Sequence, residues 1–237
     1  MTLIPKYALE ILFRKIFYYF KCKKINYENS FVKIDDNCKE KKQWVLNLDS
    51  DLIEFQNRLS KKSRYNLKRE YRLMCEQFGN VELVQWKAEE TPDWIIETYF
   101  RYKEKTYGHR YRMKAKDYID KYFVTNTYAL MDKGRKMVFA VLFSCEQFDN
   151  VFLENLAYNP GYESYSFGKQ IYNQFLYCLI NKGKKQVMLG CGNLAYKKSY
   201  GSYCFLTYSG MYYANKVIAF VDKLSNKIKA VFLGFLN

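Results

Sequence analysis

Residues 161–175 of the chain, GYESYSFGKQIYNQF, combine residue types that could bind an anion. A turn rich in tyrosine and serine runs through Gly168 and Lys169 into an apolar pattern typical of a helix. The first N–H groups of a helix lack intrahelical partners and carry the positive end of its dipole, which suits a phosphate. A glycine lets the backbone approach such a group closely. The alternative is a simple turn, because the stretch contains neither the P-loop pattern nor G-x-G-x-x-G.

A second stretch that could bind a ligand is LSKKSRYNLKREYRL, residues 59–73, which concentrates basic side chains on a helical pattern. One interpretation is a solvated helix face. The other is a site for a nucleotide-linked or lipid-diphosphate-linked sugar, because the arginine fork matches phosphate oxygens. Arg64 is the first substrate-binding candidate in this stretch.

The overall charge also indicates an anionic partner. The 237 residues include 39 Lys and Arg against 24 Asp and Glu, a formal net charge of +15. Nucleic acid, an acidic membrane surface and phosphate-bearing small molecules all fit this charge.

Cysteine and histidine usage argues against a metal site. The seven cysteines are odd in number and scattered, no C-x-x-C pair occurs, and His109 is the single histidine. A Cys/His zinc set therefore cannot be completed, and a disulfide framework is not expected. We predict no metal, free thiols and a reducing, cytoplasmic compartment.

The order of predicted elements gives an α+β chain. Short strands around a charged turn at 38–43 precede one long helix that starts near Asp51 and stops at Gly79. A strand, a helix capped by Thr91 and stopped by Gly108, and a shorter helix follow. A strand meander over 127–160 then leads into a helix, two strands and a final helix.

The two ends of the chain have amphipathic patterns. Apolar residues repeat at helical spacing near the N-terminus and are followed by lysines, without a cleavage site or a span long enough for a bilayer. We predict a terminal helix over 1–25, one domain over 26–213 and a C-terminal helix over 214–237. Each terminal helix either packs on the domain or lies on an anionic membrane.

Three ordered segments resemble the GNAT-like acyltransferases of surface-polysaccharide gene clusters, the cellulose-biosynthesis acetyltransferase-like branch. They resemble more distantly the Fem-type aminoacyl transferases. The segments are 59–73, AYNPGYESYSFGKQIYNQFL (157–176) and VMLGCGNLAYKKSYGS (187–202). The resemblance implies a GNAT-like domain with a mixed, largely antiparallel sheet flanked by helices, and an N-terminal helical and strand region packed on it. The chain departs from the pattern at Phe167, where proline is frequent, and at Leu189 and Asn193, where acids are common.

The resemblance also implies an acyl-CoA co-substrate and direct attack by an amine or hydroxyl. The donor would be held by the turn of the second segment that leads into a helix. This turn contains Tyr165, Ser166, Phe167, Gly168 and Lys169. Tyr196, Lys197 and Tyr200 become candidates for the proton of the leaving thiolate or for acceptor binding.

Direct transfer needs a base for the acceptor's proton. Glu154, in the apolar strand VFLENLAY, is the best carboxylate, since burial would raise its pKa. It could equally lie on the solvent face of an alternating strand. Asn155 and Asn193 are candidates for acceptor contacts. His109, beside two arginines, is either structural or a titrating group facing the acceptor.

The first functional hypothesis is an acetyl-CoA-dependent enzyme that N-acetylates a nucleotide- or lipid-linked amino sugar for a surface polysaccharide, in contact with the inner face of the membrane. The second is a Fem-type transferase that uses aminoacyl-tRNA. The third is a basic, non-enzymatic module that binds anionic membranes or RNA. The absence of an RNP-type aromatic signature and of helix-turn-helix spacing makes nucleic acid the weaker partner.

Overall fold

The computed structural model describes residues 24–30, 38–49, 51–108, 113–132, 134, 137–162, 165–191, 197, 200 and 203–213. The predicted terminal helices, apart from residues 24–25, and the candidates His109, Asn193 and Tyr196 lie outside these residues. The chain forms two compact units, one of residues 1–42 with 205–237 and one of residues 43–204.

Eight strands and five helices are described. The strands are β1 (Lys24–Ser30), β2 (Lys39–Asn47), β3 (Val81–Lys87), β4 (Asn126–Asp132), β5 (Met137–Gln147), β6 (Asn150–Tyr158), β7 (Gln186–Cys191) and β8 (Tyr203–Tyr213). The helices are α1 (Leu52–Asn57), α2 (Lys61–Phe78), α3 (Asp93–Tyr107), α4 (Ala115–Lys121) and α5 (Phe167–Asn181).

The larger unit is built on a mixed sheet in the order β2-β7-β6-β5-β4-β3. Strands β6 and β7 run parallel, and the other neighbouring pairs are antiparallel. In the smaller unit β1 pairs antiparallel with β8, and the Thr207 hydroxyl donates to the carbonyl of Lys41 at 3.3 Å. The predicted α+β class with a largely antiparallel mixed sheet is confirmed.

Helices cover both faces of the sheet in the larger unit. On one face α1, α2 and α5 bury Phe55, Met74 and Phe175 against the strands. On the other face α3 and α4 bury Tyr99 and Tyr118 against Phe143 of β5. Because both of its faces are covered, β5 is buried at every residue from 138 to 145.

The single long helix predicted from Asp51 to Gly79 is wrong, because the chain breaks at residues 58–60. The Ser60 side chain accepts a hydrogen bond from the N–H of Ser63 at 3.2 Å and caps a new helix. Serine oxygen competes with backbone carbonyls for N–H groups and so favours a cap over a helix interior.

Two smaller expectations also need correction. Residues 39–43, predicted as a charged turn, belong to strand β2. The cap of α3 is Pro92 rather than Thr91, whose hydroxyl instead bonds to the carbonyl of Lys87 at 2.9 Å. The glycine stops are confirmed, since Gly79 and Gly108 have φ angles of 85° and 67°, which glycine adopts without strain.

Within the described residues, no helix combines the length and apolarity needed to cross a bilayer.

Candidate functional site

The parallel strands β6 and β7 part after three residue pairs. Their ladder joins Asn150–Phe152 to Gln186–Met188, and among the described residues no pair follows. Beyond that point β6 stays paired with β5 as far as Tyr158, and β7 stays paired with β2 as far as Cys191. Each strand thus follows its outer neighbour, and we refer to the unpaired region between them as the cleft.

A bulge in each strand lies just beyond the last pair. In β6, Leu153 pairs with Ser144 and Asn155 pairs with Phe143, so Glu154 is the extra residue. In β7 the register shifts between Met188 and Gly190, so Leu189 is extra. A bulge bends its strand and increases the local twist. The two bulges therefore give a physical cause for the parting of β6 and β7.

Exposure along β6 is consistent with an open cleft. Residues 152–156 are all partly exposed, whereas the neighbouring β5 is buried throughout 138–145. An interior strand of a sheet covered on both faces is normally buried. Where it has left β7, β6 is therefore more open to solvent than β5 is.

Glu154 has an unusual environment at this bulge. Burial raises the pKa of its carboxyl from about 4.5 to about 7. The nearby Cys145 thiol has its pKa raised to about 11, first by burial and then by the charge of Glu154. A carboxyl that titrates near pH 7 can accept a proton efficiently at neutral pH.

The same burial makes the ionised form of Glu154 destabilise the folded protein at high pH. Because its pKa is higher in the folded protein, the folded state holds the proton between about pH 4.5 and 7 and the unfolded state does not. Stability therefore falls as the pH rises through this window and the full loss remains above it. We expect Glu154→Gln to stabilise the fold by about 3 kcal/mol at pH 8 and hardly at all at pH 4.5.

Urea unfolding at the two pH values measures this difference. Glu90→Gln, at an exposed glutamate, is the matched control and should change stability equally at both. An equal gain for Glu154→Gln at pH 4.5 and 8 would contradict the raised pKa.

The helix that follows β6 begins as the sequence suggested. Ser166 precedes α5 with a left-handed φ of 48°, and its carbonyl accepts from the N–H groups of Lys169 at 2.8 Å and Gln170 at 3.1 Å. The preceding N–H groups, of Phe167 and Gly168, are the ones that a helix cannot pair internally. The first turn contains no acidic residue that would repel an anion.

Aromatic packing fixes the turn before α5. The ring of Tyr165 stacks on Phe167 at 5.7 Å and meets Phe78 at 5.4 Å. Phe167 is 1% exposed and contacts Phe139 at 4.9 Å. Phe167 therefore packs in the core, whereas Tyr165 and Ser166 are partly exposed and Lys169 is exposed.

Gly168 has a second reason to be glycine. A Cβ on this residue would lie 2.9 Å from Cδ1 of Tyr158, the last residue of β6. The ring of Tyr158 thus occupies the space beside the first turn of α5. From the sequence alone, the missing side chain at Gly168 was explained by the close approach of a phosphate.

A double-mutant cycle tests the role of this contact. We expect Gly168→Ala to destabilise the protein by about 1 kcal/mol, because the Tyr158 ring must shift. In a Tyr158→Ala background the same substitution should stabilise by about 0.5–1 kcal/mol, because alanine favours the helix. Urea unfolding of the four proteins measures both values, and the same sign in both backgrounds would contradict the steric role.

Lys197 lies beside the bulge in β7. It is 2% exposed, and its Nζ donates to the carbonyl of Gly190 at 3.2 Å. Gly190 has a φ of 71° and directly follows the extra residue Leu189. A buried ammonium is costly without hydrogen-bond acceptors, so its position at this bulge is strongly specified.

Tyr200 lies in the core between α1 and α5. Its ring stacks on Phe55 at 5.5 Å and meets Tyr172 edge-on at 5.3 Å. The hydroxyl donates to Oδ1 of Asn173 at 3.4 Å, and burial raises its pKa. These contacts account for the tyrosine by packing in the core.

The residues predicted to bind the acceptor lie in different parts of the fold. Asn155 lies on β6 next to Glu154, paired with Phe143. Arg64 is elsewhere, on α2, where its Nη1 donates to the carbonyl of Leu59 at 3.1 Å and to that of Gln56 at 3.3 Å. Arg64 therefore closes the end of α1.

Sequence reasoning missed the two bulges and the role of Tyr158. The signals were present but weak, since two consecutive polar residues, Glu154 and Asn155, interrupt an apolar strand, and Gly190 sits inside another. Among the described residues, no three His, Cys, Asp or Glu side chains gather into a group that could hold a metal ion.

Solved structures with a similar fold include a lysylphosphatidylglycerol synthetase domain and FemX. The C-terminal domain described as a lysylphosphatidylglycerol synthetase from Agrobacterium fabrum matches with a TM-score of 0.58 at 11% identity, over 92% of this chain and 76% of that one. FemX matches with a TM-score of 0.58 at 8% identity, over 92% and 79%.

The fold is GNAT-like. L-PGS from Bacillus licheniformis also matches, with a TM-score of 0.52 at 11% identity, over 91% of this chain and 70% of that one. No protein-family model and no curated protein sequence matches the chain. The likeness therefore establishes the GNAT-like fold and leaves the reaction to be argued from the site.

Proposed function

We propose that the protein is a transferase that passes an acyl group to an amine or hydroxyl in the cleft between β6 and β7. The observation that carries this proposal is the position of Glu154. It is the extra residue of the β6 bulge, just past the last β6–β7 pair, and burial raises its pKa to about 7. Such a carboxyl is matched to proton transfer at neutral pH.

In the proposed step the acceptor nitrogen or oxygen attacks the carbonyl carbon of a thioester donor. The new C–N or C–O bond forms, the C–S bond breaks, and the sulfur leaves as a thiolate. Glu154 takes the proton that the acceptor loses. Lys197, whose ammonium lies against Gly190, is the favoured proton source for the thiolate. Tyr196 and Tyr200 remain alternatives for that role.

The proposed donor is acyl-CoA, which supplies the activated acyl group as a thioester. The backbone N–H groups of Phe167 and Gly168 would hold its pyrophosphate, aided by the ammonium of Lys169. The acid-free first turn of α5 supports this assignment. In this scheme Ser166 and Tyr165 hold the turn in shape.

The finer form of the proposal rests on the sequence resemblance. It is N-acetylation of an amino sugar, nucleotide- or lipid-linked, for a surface polysaccharide, with Asn155, Asn193 and His109 as acceptor-side candidates. Arg64 is not among them, because it binds the end of α1. A reducing, cytoplasmic compartment suits the free thiols of Cys38, Cys75, Cys145, Cys178 and Cys204. The charge of +15 suits contact with an anionic membrane surface.

A second candidate is transfer of an aminoacyl group. It is favoured by the solved structures named above, a lysylphosphatidylglycerol synthetase domain and FemX. It is also favoured by the charge of +15, which suits a tRNA-borne donor. The chemistry at Glu154 would be the same, since an ester replaces the thioester and an oxygen leaves in place of sulfur.

Thermal melting with a panel of donors separates the two candidates. The protein is melted alone and with acetyl-CoA, CoA, ATP and aminoacyl-tRNA. A ligand at a hundred times its Kd stabilises by about 2.7 kcal/mol, a shift of about 5–10 °C for a chain of this size. A shift with the CoA compounds that exceeds that of ATP supports acyl-CoA. A shift with aminoacyl-tRNA that exceeds that of deacylated tRNA supports the second candidate, and equal shifts with every polyanion would contradict both.

A further inference from the structure

A separate cavity of about 600 Å³ lies between α2 and α5, on the face of the sheet that carries α1. The end of α1 and Leu83 of β3 complete its wall. None of the residues that line it belongs to β6 or β7, so it does not coincide with the proposed transfer cleft. Its volume is within the range of small-molecule sites, about 300–1,000 Å³.

The α5 wall of the cavity is polar where a core helix is normally apolar. Its lining residues recur every three or four positions, on one side of the helix. Most of them carry carboxamides: Gln170, Asn173, Gln174 and Asn181. A helix face directed at another helix is expected to be an apolar stripe. The polar stripe on α5 therefore points to a polar occupant.

Two of these amides are almost fully buried and fixed. Gln170 is 2% exposed, and its Nε2 donates to the carbonyl of Leu67 at 3.1 Å. Asn173 is 6% exposed, and its Oδ1 accepts from Tyr200. A carboxamide has both a donor and an acceptor end, which suits the hydroxyl groups of a ligand.

The charge of the lining is entirely positive. Arg64, Lys68 and Lys182 contribute cations, and no carboxylate is among the described residues that line the cavity. Two of the cations are held in position. Nη1 of Arg64 is fixed by the carbonyl of Leu59, and Nζ of Lys182 donates to Gln85 at 2.7 Å and to Tyr128 at 3.0 Å. An anionic group is the partner that matches this set.

We propose that this cavity binds a phosphorylated, hydroxyl-rich small molecule of the sugar-phosphate or nucleotide-sugar class. The cations bind the phosphate and the carboxamides bind hydroxyl groups. The apolar faces of Leu67, Tyr71 and Tyr177 pack against the sugar ring. The site is a second ligand site, beyond the proposed acyl transfer.

Titration calorimetry of the full chain tests this proposal at physiological salt. The probes are UDP-N-acetylglucosamine, N-acetylglucosamine 1-phosphate, UMP and inorganic pyrophosphate. The informative variant is Lys68→Glu, because Lys68 is exposed at the cavity and its replacement leaves the core intact. The matched control is Lys62→Glu, which makes the same charge change at an exposed residue of α2 outside the cavity.

We expect at least one of the phosphorylated sugars or UMP to bind more tightly than pyrophosphate. Lys68→Glu should weaken that binding about tenfold or more, as expected for a lost charge-assisted contact. Lys62→Glu should leave the Kd within about twofold. Comparison of UMP with the sugar 1-phosphate then identifies which half of the ligand is recognised.

Four results would overturn the proposal. They are an absence of binding by all probes, equal binding of pyrophosphate, equal weakening by both lysine variants, and loss of binding in Lys169→Glu. The last result would assign the ligand to the first turn of α5. Lys169 does not line the cavity, so binding that is retained in Lys169→Glu belongs to the cavity and not to the proposed donor site.

Discussion

Replacement of Glu154 by glutamine is expected to lower kcat/KM for acyl transfer by about 10²–10⁴-fold, the usual contribution of a general base. Glutamine keeps the shape of the side chain at the β6 bulge but cannot take the acceptor's proton. Donor binding at the first turn of α5 should be unchanged, because Glu154 lies on β6 and outside that turn.

The pH profile provides the sharper measurement. The wild-type rate should rise about tenfold per pH unit below pH 7 and level off above it, because only the carboxylate form is active. This break corresponds to the raised pKa of Glu154, about 7. Thiol release from acetyl-CoA in the presence of glucosamine, between pH 5.5 and 9, measures the profile.

Glu90→Gln is again the control, with a wild-type rate and profile. A Glu154→Gln protein that is folded, active and still shows the break near pH 7 would exclude Glu154 as the base. Together with the gain in stability expected at pH 8, the loss of rate would indicate that this carboxyl is retained for function at a cost to the fold.

Tyr200→Ala is expected to destabilise the protein by about 3–5 kcal/mol, as for other large-to-small changes in a core. The ring of Tyr200 is 4% exposed and packs against Phe55 and Tyr172. Tyr200→Phe keeps these ring contacts and loses only a hydrogen bond of 3.4 Å, so it should cost less than about 1 kcal/mol.

Activity of the phenylalanine variant decides between packing and proton transfer. If Tyr200 acts through packing, Tyr200→Phe keeps kcat within about threefold of the wild type. A loss of about 100-fold with unchanged stability would instead make the hydroxyl a proton donor. Urea unfolding and the thiol-release assay on the same preparations give both quantities.

Local sequence patterns predicted most of the helices and strands. The meander of β4, β5 and β6 follows from apolar runs separated by polar turns, and α3 ends at Gly108 as predicted. Such signals act over a few residues, so they survive in the folded protein. The break between α1 and α2 was missed even though Ser60 carried a local cap signal, because the apolar pattern continues across it.

The candidate site could be predicted only in part from the sequence. Glu154 and the first turn of α5 were singled out from residue type and position, yet the reason for the importance of Glu154 was not visible. That reason is the parting of β6 from β7, which depends on strands that come from distant parts of the chain. A pairing partner, and therefore a bulge, is a property of two strands and leaves little trace in either one.

The sequence by itself determined the α+β class, the positive charge and the turn that begins α5, because composition, periodicity and turn chemistry are local properties. Tertiary structure alone decided that Phe167 and Tyr200 pack in the core and that Lys197 is buried against Gly190. It also decided that Gly168 makes room for Tyr158 and that a cavity with no carboxylate among its described lining residues lies between α2 and α5. Each of these depends on which distant surfaces meet, and burial and pKa follow from that meeting rather than from residue type.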